Sequence, residues 1–245
     1  TDIDFLEVIT EHYTDDDPRA QRELEEISSL FPVIPHGISL SIGSMTPLDQ
    51  GLLRGIKRVC EMTQAPYYSE HLCMTSVPGI DLGHLSPLWF TEDVLQQVIR
   101  NVTYVQDYLA RPLILENVTY YFDIPGNSMS QVEFFNRLIA ATGCGILLDI
   151  TNVFINSVNH GFDPLAFLDQ MPLDHVVQVH LAGGYWFNDY LVDGHSEPVQ
   201  EESWELLRAL ATRCRIKGVI FEHDRNFPDM ELLLRQIQRA KHLVF

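Results

Sequence analysis

Short apolar, β-branched runs alternate with longer amphipathic ones along the whole chain, and this alternation constrains the fold more than any other feature. The strand candidates are Ile3–Ile9, Val33–Ile42, Tyr67–Met74, Leu113–Val118, Gly145–Val153, Val176–Ala182 and Val219–Asp224. Helical patterns lie at Arg19–Leu30, Leu48–Gln64, Glu92–Ala110, Gln131–Thr142, Leu165–Gln170, Glu202–Arg213 and Asp229–Lys241. One of these is marked at both ends, by a capping box of Ser130 with Glu133 and by Gly143 as the stop. Strict β–α alternation with right-handed crossovers gives a parallel sheet, open or closed into a barrel. The repeat of roughly 30 to 45 residues suits βα units. A closed TIM barrel has eight strands, one more than the pattern supplies. Because Ile3–Ile9 begins almost at residue 1, a preceding strand is expected to be missing from this chain. With no linker or composition break, residues 1–245 are expected to form a single domain, a TIM (β/α)8-type barrel.

Charge and cysteine usage narrow the class. Against 16 Lys+Arg stand 34 Asp+Glu, a formal charge of -18. Such a surface repels phosphate backbones, so nucleic acid is a poor partner, and metal binding is one use for part of the acidity. Hydrophobic residues make up 46% of the chain, enough for a packed core. Cys60, Cys73, Cys144 and Cys214 lie far apart with no C-x-x-C pair, which fits reduced thiols rather than a disulfide framework or a thiolate zinc site. No apolar run approaches the roughly 20 residues a membrane span needs. The start Thr1-Asp2-Ile3-Asp4 is not a signal peptide, so a cytoplasmic protein with no membrane partner is expected.

Polar residues gather where the strands end. In order they are Glu7 to Glu11, His36-Gly37, Glu70-His71, Glu116-Asn117, Asp149-Ile150-Thr151-Asn152, His180 and Glu222-His223-Asp224. Ligands bind at the carboxyl ends of strands in parallel α/β folds. Side chains alternate along a strand, so Glu222 and Asp224 are expected on one face and His223 on the other. A lone His at a strand end is more often a satisfied buried side chain than a ligand. Six strands ending in His, Glu or Asp crowd carboxylates and imidazoles into one mouth. Crowded carboxylates repel and must bind protons or cations. Histidine plus carboxylate without thiolate suits iron, manganese or zinc. Gly37 and Gly183 are read as letting backbone approach the site.

Other features take plainer readings. His12, His84, His160, His175, His223 and His242 are surface or helix-end residues, and Phe134, Phe135 and Trp204 are core. Asp15-Asp16-Asp17 is a solvated approach to a helix. Asp193-Gly194-His195 reads as a turn that gains interest only by following the His180 strand.

Several of these tags, in this order, resemble the DUF692 family of MbnB/TglH-like multinuclear iron proteins. They are His36-Gly37-Ile38-Ser39-Leu40-Ser41-Ile42-Gly43, Ser69-Glu70-His71-Leu72, Leu115-Glu116-Asn117 and Gly143-Cys144-Gly145-Ile146-Leu147-Leu148-Asp149-Ile150-Thr151-Asn152. His180-Leu181-Ala182-Gly183, Asp193-Gly194-His195 and Glu222-His223-Asp224 complete the set. The resemblance implies a TIM barrel holding two or three iron ions. By motif, His36, His71 and Glu116 hold one; Asp149 and His180 with Glu116 and Glu222 hold its neighbour, the glutamates bridging. Asn152, Asp193 and His195 match a third site. Glu116, Glu222 and His180 are the residues expected to carry the chemistry. Relatives of this kind use iron and O2 to oxidise a cysteine in a ribosomally made peptide, commonly with a small companion protein that presents it. Two departures stand out. The first barrel strand is expected to be missing from this chain, and Glu70 stands where Asp is usual, expected to face away from the site. The aromatic loop Gly184–Tyr190 either lines a peptide groove or packs against the rim.

The resulting expectation is an iron- and O2-dependent oxidase or oxygenase acting on peptide cysteine. The alternatives are an endonuclease IV-like or sugar-isomerase-like metal barrel and a metal-loaded, non-catalytic scaffold.

Overall fold

The computed structural model describes residues 2–245; Thr1, the first residue of the amino-terminal stretch, lies outside them. Two compact units are resolved by contact. One comprises Asp4–Val118 and Ile124–Gly145, and the other comprises Thr119–Asp123 and Ile146–Phe245 with the amino-terminal residues through Ile3.

The first unit carries β1 (Leu6–Ile9), α1 (Pro18–Leu30), β2 (Val33–Gly37), α2 (Gln50–Thr63) and β3 (Tyr68–His71). An antiparallel hairpin of β4 (Met74–Val77) and β5 (Ile80–Ser86) follows, then α3 (Glu92–Leu109), β6 (Leu113–Glu116) and α4 (Gln131–Thr142). Strands β1, β2, β3 and β6 are parallel neighbours in that order. The second unit runs from β7 (Gly145–Asp149) through α5 (Ile150–His160), α6 (Pro164–Gln170) and β8 (Val176–Leu181). The hairpin β9 (Tyr185–Phe187) and β10 (Tyr190–Val192), then α7 (Glu201–Ala211), β11 (Gly218–Phe221) and α8 (Met230–Val244), complete it. Here β7, β8 and β11 are parallel. Along the sheet the strands stand in chain order, β1-β2-β3-β6-β7-β8-β11, flanked by helices. This is a (β/α)8-type barrel sheet with seven strands among the described residues.

Local sequence explains most of these elements. In α2, Leu53, Ile56, Val59 and Cys60 recur at helical spacing and are wholly buried. Asp49 caps its start by accepting from Gly51 N and Leu52 N at 2.6 and 3.1 Å. Asp17 caps α1 in the same way, so the aspartate run ends in a cap rather than only a solvated approach. Ser130 accepts from Glu133 N at 3.1 Å, and Gly143 ends α4 at φ 65°. Phe134, Phe135 and Trp204 are core as expected. Each such side chain contributes about 1.5–3 kcal/mol on burial.

Three strand expectations need correction. Val33–Ile42 pairs only to Gly37, because Glu11 Oε1 accepts from Ile38 N and Ser39 N and turns the chain away. Glu11 therefore shapes a loop rather than ending a strand. Gly145–Val153 stops at Asp149, and the β-branched Ile150-Thr151-Val153 stretch opens α5. The Asp149 carboxylate caps that helix, and Thr151 Oγ1 exchanges hydrogen bonds with Ala182, donating to its carbonyl and accepting from its N–H. Tertiary contacts override β propensity there. Val219–Asp224 ends at Phe221, which leaves Glu222, His223 and Asp224 in a loop.

The loop after β8 has its own secondary structure. It folds into the β9–β10 hairpin with only Leu191 buried, while Tyr185, Trp186, Phe187 and Tyr190 stay 40–62% exposed. The Tyr190 ring meets Tyr121 edge-on and the Tyr185 ring lies against Gly194, while Trp186 and Phe187 are the most exposed of the four.

Candidate metal centre

In the first unit the ends of β2, β3 and β6 bring His36, His71 and Glu116 together. Each offers a ligand atom within 4.8 Å of the others. Both Nε2 atoms approach the same oxygen: His36 lies 3.3 Å and His71 3.4 Å from Glu116 Oε2. Tautomers follow from the other ring nitrogens. His71 Nδ1 lies 2.9 Å from the Gly37 carbonyl, which only accepts, so Nδ1 carries the proton. His36 Nδ1 lies 2.9 Å from Ser69 Oγ, whose own proton goes to Pro35 O. Both Nε2 lone pairs therefore face the Glu116 oxygen, an arrangement that a cation between them relieves.

Cys73 is buried in the same unit, but burial, then Glu70 and Glu116, push its thiol well above the usual range. It stays a neutral thiol, and the donor set is imidazole and carboxylate. Gly37 is required for packing: a Cβ there would collide with Tyr68 Oη and Glu70 Oε2. At Gly183 a Cβ would strike the Glu197 backbone. The glycines thus admit protein neighbours rather than a ligand.

Glu70 faces away from this group. Its oxygens accept from His71 N and Tyr68 Oη, both at 2.9 Å. Complete burial, then the neighbouring Glu11, lift its pKa to about 8. The folded chain thus holds a proton that the unfolded chain releases above its ordinary value of 4.5. That stabilisation is fully present below pH 4.5 and is lost as pH rises through about 8. In metal-free protein, Glu70→Gln should flatten the fall in Tm across this window; an unchanged slope by calorimetry would count against a protonated Glu70.

In the second unit β7, β8 and the loop after β11 present Asp149, His180 and Glu222, again with ligand atoms within 4.8 Å. Asp149 and His180 are 1% and 0% exposed. His180 Nδ1 lies 3.3 Å from Glu222 Oε2. Its Nε2 lies 3.0 Å from the buried Gln178 carboxamide. The facing atom is the Gln178 amide nitrogen, which donates to Nε2 and leaves the ring proton on Nδ1 toward Glu222. Metal binding through Nδ1 requires the carboxamide to turn its oxygen to Nε2, which then keeps the proton. Gln178→Leu should lower metal affinity roughly 10- to 100-fold, the usual cost of losing such a partner, measured by competition with a chelating dye. Gln178 escaped the sequence reading, although it stands two residues before His180 and so shares its face.

Asp193 and His195 belong to neither group. His195 Nε2 pairs with Asp193 Oδ1 at 2.9 Å, and its Nδ1 lies 3.4 Å from Asp224 and 3.9 Å from Glu222. Burial opposes a charge on this ring, but Asp193, Glu222 and Asp149 lift its pKa to about 10. Asn152 sits buried in the first turn of α5. Glu222 and Asp224 both face His195, as alternation required, although a loop rather than a strand places them. His223 is not a surface residue: both ring nitrogens are buried and without hydrogen-bond partners.

Two buried histidine–carboxylate groups at the strand ends of a βα barrel define a metal-dependent TIM-barrel enzyme. The family model described as "RiPP precursor modification enzyme MbnB/TglH/ChrH" matches residues 1–244, and the chain belongs to that family. A UPF0276 protein of Caulobacter vibrioides is 35% identical over 239 residues, 98% of this chain and 85% of its own. One from Acaryochloris marina is 36% identical over 217 residues, covering 89% and 79%. Among solved structures, a D-tagatose 3-epimerase-like protein aligns over 99% of this chain and 90% of its own, with TM-score 0.62 at 14% identity. D-psicose 3-epimerase of Clostridium cellulolyticum H10 aligns over 99% and 88%, with TM-score 0.62 at 12% identity. At these identities the epimerases share the fold alone. Among the described residues no helix is long and apolar enough to cross a membrane.

Proposed function

We propose that this protein is an iron-dependent, O2-using enzyme that modifies cysteine in a ribosomally made peptide. The observation that carries the reading is the pair of histidine–carboxylate groups on a chain that belongs to a peptide-modifying family. His36, His71 and Glu116 would hold one ion, and Asp149, His180 and Glu222 the other, with Glu116 shared between them as a bridge. Asn152, Asp193 and His195 would form a third, supporting site. Bound iron supplies the redox chemistry that amino-acid side chains lack.

The chain's own residues do the rest. Ser69 and the Gly37 carbonyl hold two imidazoles in the metal-binding tautomer. Gln178 would hold the third once its carboxamide oxygen turns to His180 Nε2. Burial of Glu116, Asp149 and His180 keeps water from competing with the ions and with a substrate thiolate. The exposed rings of the β9–β10 hairpin, together with a companion protein, would receive the peptide.

The test is purification without chelator, iron determination per chain, and incubation with iron, O2 and cysteine-containing precursor peptides. A mass change confined to cysteine supports the reading. Iron-free protein that reconstitution leaves inert, or a chain that epimerises ketoses instead, overturns it.

A further inference from the structure

A cavity of about 180 Å3 in the second unit contains groups that the metal centre does not use. Its apolar wall is Pro198, Pro228 and Leu232, and its polar wall is His223 and Gln236, with Ser196 at one side. Gln236, on α8, is 8% exposed, and both its Nε2 and Oε1 are buried without a hydrogen-bond partner. Both ring nitrogens of His223 share that condition. Burying a polar group without a hydrogen-bond partner is destabilising, so two such side chains facing one cavity are not a neutral feature of packing. A helix built for stability alone would carry Leu or Met at position 236.

What satisfies these groups follows from their chemistry. A carboxamide offers one donor group and one acceptor, and its best complement is another amide. Glu197 on the lining repels anions. The prolines and Leu232 favour a short apolar stem behind the polar head. An adjoining cleft of about 630 Å3 shares Ser196, Glu197 and Asn226 with the cavity, and its wall includes Asp193. A molecule lying in the cleft can therefore project one side chain into the cavity.

We propose that this cavity is a binding site for a neutral carboxamide, with Gln236 and His223 as its hydrogen-bonding partners. The existence of the site is independent of the proposed function. Its occupant, an Asn or Gln side chain of the substrate peptide, rests on that reading.

The probe is propionamide, titrated into the metal-free full chain while the backbone amide resonances of His223 and Asn226 on the cavity lining are followed, with propionate as the charged control. A saturable shift with propionamide, weakened at least tenfold for propionate and lost in Gln236→Met, is expected. Leu232→Phe, which fills the cavity from the apolar side, should abolish the response without touching either polar group. No shift in the parent protein, together with a higher Tm for Gln236→Met, would show that the cavity holds only water and would overturn the proposal. With precursor peptides, replacing the Asn or Gln that docks should raise KM roughly tenfold, the worth of one to two hydrogen bonds, and Gln236→Met should erase that difference. If no peptide is turned over, the function falls while the propionamide result stands.

Discussion

Glu116→Gln is expected to abolish metal-dependent activity and to lower metal affinity by more than the roughly 10- to 100-fold that losing an outer partner costs. The proposed function gives this carboxylate to both ions, so both should be released. The metal-free protein should not suffer. Two imidazole lone pairs face Glu116 Oε2 at 3.3 and 3.4 Å, and an amide N–H in its place can donate to one of them. The signature is a metal-free Tm equal to or above the parent's, with the rise on adding iron lost. A variant that keeps two ions per chain would remove Glu116 from the centre.

Asp149 is expected to separate ligation from folding, because its two oxygens have different work. Oδ1 accepts from Asn152 N at 2.7 Å and caps α5, while the carboxylate charge serves the group with His180 and Glu222. Asp149→Asn keeps the cap and should lose metal with little change in metal-free stability. Asp149→Ala loses both, and the missing cap costs about 0.5–2 kcal/mol, a drop of roughly 2–4 °C in Tm per kcal/mol for a chain of this size. Equal metal-free Tm values for the two variants would mean that the cap carries no stability.

The two substitutions act on residues that the sequence exposes to different degrees. Glu116 ends a short apolar run, where period-2 alternation and the barrel rule place it at a ligand-binding edge without knowledge of any contact. The same reasoning reaches His36, His71, His180 and Asp149. It reaches Glu222 as well, although that residue lies just past its strand. The second role of Asp149 is hidden, because Ile150-Thr151-Asn152-Val153 carries as much strand as helix character. Only the cap and the Thr151–Ala182 exchange decide for helix. The two hairpins were not legible for a related reason. Their residues neither alternate over enough length nor bury a face, as the exposed rings of Tyr185 to Phe187 show.

By itself the sequence determined the parallel βα order, the core faces of the helices and the set of histidines and carboxylates at the strand ends. These follow from periodicity and composition, which are local properties of the chain. Tertiary structure alone decided which of those residues meet, which partners the ring nitrogens of His36 and His71 find, and that Gln178 lies against His180. It also decided that His223, which alternation already sets apart from Glu222 and Asp224, meets Gln236 at one cavity. Each of these depends on atoms brought within a few ångströms from distant positions, and no local pattern encodes that distance.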